Sequence, residues 1–122
     1  MRIGVIGTGA IGGTIAALLD RVGHLVEVTA RGEQLTAIRE SGLHLDGGWG
    51  THTARVAAAE TLQTRPELAF VCTKAQDAAA AITANAALLE GIPVVIVQNG
   101  LAGLREAQAL LPTSDCVGAL AL

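Results

Sequence analysis

Arg2-Ile-Gly-Val-Ile-Gly-Thr-Gly-Ala-Ile-Gly-Gly13 reads as a short apolar strand that runs into a helix through Gly7, Gly9 and Gly12. Each glycine meets a separate steric demand: Gly7 permits a tight turn out of the strand, Gly9 lets a pyrophosphate approach the backbone, and Gly12 lets the helix lie close to the sheet. A helix opening near Ala10 presents unpaired N–H groups and partial positive charge to phosphate, so no side-chain cation is required there. Gly7, Thr8, Gly9, Ala10, Ile11 and Gly12 are therefore the candidate dinucleotide-binding turn. No Gly-Lys-Ser or Gly-Lys-Thr follows, which excludes a phosphate loop of the Walker type.

Working outward, Ile11, Ile15, Leu18, Leu19 and Val22 recur at three- and four-residue spacing and predict one apolar helical face, ended by Gly23-His24. Leu25 to Ala30 is a second strand, so residues 2–30 form a strand, helix, strand unit sized for a right-handed crossover. A helix from Glu33 to Glu40 follows, with Leu35 and Ile38 as its apolar contacts. Beyond Gly42, Leu43 to Asp46 and Thr51 to Val56 flank Gly47-Gly48-Trp49-Gly50 as a hairpin or a pair of edge strands. Packing onto that hairpin is the expectation for Trp49, ahead of covering a cofactor or meeting another domain.

Leu68 to Thr73 is an unbroken apolar run between Pro66 and Lys74, the pattern of a strand buried on both faces. An alanine-rich helix from Asp77 to Leu89, a strand from Val94 to Val97, a Gln98-Asn99-Gly100 loop and a helix from Gly103 to Leu111 come next. Cys116 to Leu122 opens a last apolar strand with no turn or polar tail after it, which reads as the interior of a longer protein. The alternation predicts one α/β domain over residues 1–122, a Rossmann-type, doubly wound and mostly parallel sheet with helices on both faces. Its site belongs at the carboxyl edge of the sheet.

Composition agrees with small crossover units. Hydrophobic residues make up 51% of the 122 and aromatics 2%, so the core has to be Val, Ile, Leu and Ala. Eight basic against 11 acidic residues give a net charge of −3, with no basic run, and nucleic acid is not an expected partner. No apolar stretch reaches the roughly 18 residues of a membrane helix and no secretory signal opens the chain, so a cytoplasmic location is expected. Cys72 and Cys116 read as two buried thiols in strands, and His24, His44 and His52 lack the spacing of a metal site.

The second strand ends Val26-Glu27-Val28-Thr29-Ala30-Arg31. A site for NAD carries an acidic residue at that end to accept bonds from the ribose hydroxyls; here Glu27 falls too early and Arg31 stands where a forked contact with a 2′-phosphate is possible. The expected cofactor is NADP, with Thr29 and Gln34 available for neutral hydrogen bonds. Lys74 follows one buried strand immediately and Asn99 follows the next, so two neighbouring strand ends offer polar groups to one crevice.

Taken together, Gly7-Thr-Gly-Ala-Ile-Gly12, Gly23-His24, Arg31, Thr73-Lys74 and Gln98-Asn99-Gly100 resemble the N-terminal cofactor domain of the ketopantoate reductases. The resemblance covers essentially the whole chain, with Glu67 where that family often has Asp. It implies NADPH-dependent reduction of ketopantoate to pantoate on the route to pantothenate and coenzyme A. In that reading the glycines hold the pyrophosphate, Arg31 the 2′-phosphate, and Lys74 and Asn99 the inner cofactor and substrate region in supporting roles. The principal proton-donating lysine and a substrate-binding acid of the family lie in a helical second domain outside these residues, so the 122 residues alone are expected to be inactive. A non-catalytic NADP-binding or regulatory module and another NADP-linked β-hydroxyacid dehydrogenase are the alternatives; oligomeric state is open.

Overall fold

A computed structural model describes residues 1–98 and 102–120. In chain order the elements are β1 (Arg2–Ile6), α1 (Ala10–Arg21), β2 (Leu25–Thr29), α2 (Gly32–Ser41), β3 (Leu43–Leu45), β4 (His52–Ala54), β5 (Ala57–Ala59), β6 (Leu68–Val71), α3 (Ala75–Leu89), β7 (Pro93–Gln98), α4 (Ala102–Leu110) and β8 (Asp115–Leu120). Six strands form one sheet in the order β5-β2-β1-β6-β7-β8. Every pairing in it is parallel. Connections run outward from β1 on one side and from β6 on the other, so the winding reverses between these two strands and opens a crevice at their carboxyl ends. This is the Rossmann-type α/β arrangement that the alternating pattern predicts.

The sheet is covered on both faces. Ala16, Leu35 and Ile38 of α1 and α2 pack over Ile3, Val5, Val26 and Val28. On the opposite face Ile82, Leu89 and Ala107 of α3 and α4 pack over Val71, Val94 and Ile96. Both layers are almost wholly aliphatic, with Phe70 the one aromatic packed against the first, as a composition nearly without aromatics requires. At the amino edge the Arg2 N–H donates to Glu67 Oε1 at 2.9 Å, which fixes the entry into β1.

Two sequence expectations are corrected, and one strand that the sequence does not signal is added. The buried positions of α1 are the small ones, Gly12, Ala16 and Ala17, whereas Ile11 and Val22 are exposed. A Cβ on Gly12 would stand 1.9 Å from the Gly7 carbonyl oxygen, so close approach of helix to turn selects against bulk, and Ile15 and Leu19 pack only at the flank. Ala57–Ala59 forms a strand paired with β2, although alanine has little strand preference of its own. Trp49 does not pack on its hairpin: it is 62% exposed. Leu45 and Ala54, the buried side chains of β3 and β4, face Ala17 of α1 and leave no apolar floor for an indole. Of the two arrangements the sequence allows, the hairpin is the one that forms, and a hydrogen bond between His52 Nε2 and Asp20 Oδ2 at 2.8 Å fastens it to α1.

Candidate cofactor site

The turn after β1 is braced from β2 and α2. Gly7 adopts φ +91°, and a Cβ there would lie 2.9 Å from Thr73 Cγ2, so only glycine fits. Its N–H donates to Thr29 Oγ1 at 3.1 Å. The Thr8 hydroxyl donates to the Thr29 carbonyl at 3.3 Å, and Gln34 Nε2 donates to the Thr8 carbonyl. Thr29 and Gln34, which the sequence offers to the cofactor, are thus engaged with the turn. Gly9 is the N-cap of α1 and gives the helix no side-chain cap. A Cβ built on it meets nothing within 4 Å, so the backbone is bare on that side while the first-turn N–H groups point outward.

From this turn a cavity of about 670 Å³ runs to Thr29, Ala30 and Arg31, with Ala80, Ala81 and Ala84 of α3 among its lining residues. Arg31 is the N-cap of α2, extended and exposed. Among the described residues no carboxylate comes within ion-pair distance of the Arg31 guanidinium. Glu27 is occupied elsewhere: its carboxylate accepts the N–H groups of Gln63 at 2.8 Å and Thr64 at 3.1 Å. Glu60, which the sequence pattern does not single out, shares the cavity with Arg31. So does Asn85, whose Oδ1 accepts the Leu62 N–H at 2.7 Å and pins the segment carrying Glu60.

Lys74 is the N-cap of α3 and lines this cavity together with a second one of about 410 Å³. The inner cavity is bounded by Gly9, Ala10 and Ile11, by Cys72, Thr73 and Lys74, and by Gln98 and Gly103. The amino ends of α1, α3 and α4 therefore meet the carboxyl ends of β1, β6 and β7. Asn99 lies outside the described residues. Cys72 follows β6 by one residue and is half-buried, and Cys116 is buried in β8; both are free thiols. Burial pushes the Cys72 thiol up to about 12, so it stays protonated and unreactive near neutral pH. Burial, followed by Asp115 and Glu90, raises Cys116 as well.

Gln98 and Thr73 are also absent from the sequence reading as site residues. The available signal for Gln98 is Gly103, a glycine in the first turn of a helix, where a Cβ would fall 1.7 Å from Gln98 Oε1. A smaller cavity of about 290 Å³ opens at the opposite edge of the sheet. Its charged residues are largely spoken for: Glu27 as above, Arg55 by the Glu40 carbonyl, and Arg65 by the Glu90 carbonyl. Among the described residues no three His, Cys, Asp or Glu side chains gather as metal ligands, and no helix is long and apolar enough to cross a membrane.

Sheet order, glycine turn and crevice define a Rossmann-type domain of the kind that serves dinucleotide-dependent oxidoreductases. Residues 3–122 match the family model described as ketopantoate reductase PanE/ApbA, and the chain belongs to that family. A curated 2-dehydropantoate 2-reductase of Halobacterium salinarum is 34% identical over 107 residues, covering 83% of this chain and 35% of the relative. The crystal structure of 2-dehydropantoate 2-reductase from Methylococcus capsulatus superposes with a TM-score of 0.84 at 29% identity, over 100% of this chain and 41% of that one. D-mandelate dehydrogenase, solved with NADH and anilino(oxo)acetate, shares the fold at 19% identity and a TM-score of 0.84, over 98% of this chain and 40% of that one. The chain spans about a third of the length of the curated relatives it matches.

Proposed function

We propose that residues 1–122 bind NADP and form the cofactor-binding part of a reductase that converts 2-dehydropantoate (ketopantoate) to pantoate, a cytoplasmic step toward pantothenate. The observation that carries the choice of cofactor is Arg31: an unneutralised guanidinium on the wall of the cavity that begins at the glycine turn, with Glu27 tied to the Gln63–Thr64 backbone. A 2′-phosphate suits such a group, and a ribose bearing only hydroxyls makes far less use of it. The bare face at Gly9 fits a pyrophosphate, which the α1 amino end would hold through Gly7, Thr8, Gly9, Ala10, Ile11 and Gly12.

When bound, the reduced nicotinamide supplies hydride for the ketone carbon. Lys74, at the junction of the two cavities, would hold the inner half of the cofactor and steady the oxo acid. Asn99 would add a donor and an acceptor there. Both support the reaction, and the proton for the developing alkoxide comes from an acid elsewhere in the full-length polypeptide. The test is NADPH oxidation by the full-length polypeptide with ketopantoate, with NADH run alongside. Turnover that prefers NADPH is the expected result. Activity with a bulkier 2-oxo acid and none with ketopantoate would reject the substrate, and NADPH binding without any turnover would favour a regulatory module.

A further inference from the structure

Two buried side-chain polar atoms among the described residues have no hydrogen-bond partner, Thr73 Oγ1 and Gln98 Nε2, and both residues line the inner cavity. Their proximity follows from the sheet. β6 pairs with β7 through Ala69↔Val94, Phe70↔Val95 and Val71↔Ile96, and continuing that register brings Thr73 opposite Gln98. Strand alternation puts them on the face of Val71 and Ile96, beneath α3 and α4, as the first polar pair above the apolar column.

Neither side chain is there by default. Gln98 is 92% buried, and its Oε1 is pressed against Gly103, where any Cβ would collide with the amide. The carboxamide oxygen is thereby turned toward α4. The Thr73 methyl packs on Gly7, which leaves its hydroxyl on the other side. Buried donors are almost always paired, so two unpaired ones on one cavity wall call for a partner that arrives with a ligand.

We infer that Gln98 is a ligand-binding residue of the inner cavity, donating from Nε2 to a carbonyl or carboxylate oxygen of the bound molecule, with the Thr73 hydroxyl as second donor. An amide nitrogen carries hydrogens and no acceptor site, so the partner is an acceptor, and the acceptors of a nicotinamide carboxamide or a 2-oxo acid are oxygens. The inference rests on the proposed function, which provides two sources of that chemistry: the carboxamide of the nicotinamide and the 2-oxo acid.

The experiment uses the full-length polypeptide and the near-isosteric Gln98→Glu, which replaces the donor with an acceptor. NADPH affinity is read by fluorescence titration, and the KM for ketopantoate at saturating NADPH by steady-state kinetics. One of the two should weaken about ten- to a hundredfold. Loss in NADPH affinity assigns the oxygen to the cofactor, and loss confined to KM assigns it to the oxo acid. Gln98→Met, which keeps the length and lacks the charge, should lose about five- to tenfold in the same parameter, and it stands in should Gln98→Glu not fold. A folded variant with both parameters within about twofold of wild type would overturn the inference and leave Gln98 as a brace for α4. Wild-type polypeptide that does not bind NADPH would overturn the cofactor reading itself, an outcome visible before any variant is made.

Discussion

Arg31→Ala removes the guanidinium from the N-cap of α2 while leaving the helix intact, because Arg31 makes no side-chain capping bond. Hydrogen bonds to a charged partner contribute about 1.5–3 kcal/mol. Arg31 is exposed, so solvent screening places it at the low end, near 1.5 kcal/mol, or about tenfold in affinity. NADPH binding should therefore weaken about tenfold, and NADH binding by less than about threefold, since the ribose hydroxyls carry no charge. The NADPH loss should shrink as salt is raised toward about 0.5 M, where charge contacts at the surface fade. Fluorescence titration of both dinucleotides, with thermal denaturation to confirm unchanged folding, measures this directly. Equal losses for NADPH and NADH would show that Arg31 does not read the 2′-phosphate.

The glycines of the turn should separate into two kinds. Gly12→Ala forces a Cβ to 1.9 Å from the Gly7 carbonyl and should cost about 2–3 kcal/mol of stability in urea unfolding; Gly9→Ala meets no neighbour and should cost under about 1 kcal/mol while lowering NADPH affinity severalfold. A Gly9→Ala protein that binds NADPH like wild type would remove the pyrophosphate from that face. Cys72 gives a pH signature: its folded-state thiol titrates near 12 against an ordinary value of 9.0, so between these values the folded protein holds the extra proton. Stability is unaffected by this group below pH 9 and falls by about 1.4 kcal/mol per pH unit as pH rises through the window. Wild type should lose about 1 kcal/mol relative to Cys72→Ala between about pH 9 and pH 10, where the unfolded thiol is still titrating, and a constant difference across that interval would refute the burial argument.

Elements whose patterns are strong were legible in the sequence. β1, α1 and β2 follow from apolar runs and glycine punctuation, and β6 and β7 from unbroken apolar stretches. What escaped depended on partners distant in the chain. Ala57–Ala59 becomes a strand because β2 offers an edge, which no local preference of alanine reveals. The large apolar residues of α1 suggest its buried face, yet the buried positions are Gly12 against the turn, Ala16 against the sheet and Ala17 against the β3–β4 hairpin. Arg31 and Lys74 were legible as candidates because a charge beside a buried strand stands out. Gln98, Thr73 and Glu60 were not, since their part depends on register and on what lines a cavity, and neutral or acidic loop residues give no periodic signal.

Thr29 and Gln34 brace the glycine turn from the same neighbourhood that, on the proposed function, would receive the ribose. Recognition of the sugar and anchorage of the diphosphate would then share one piece of scaffolding. A wholesale graft of residues 29–34 from an NAD-preferring protein would loosen grip on either dinucleotide together. Retuning preference is open mainly to isolated changes at Arg31 and Glu60, the side chains in that corner that bear no part of the scaffold, and so an engineer's freedom here is narrow and easily mapped.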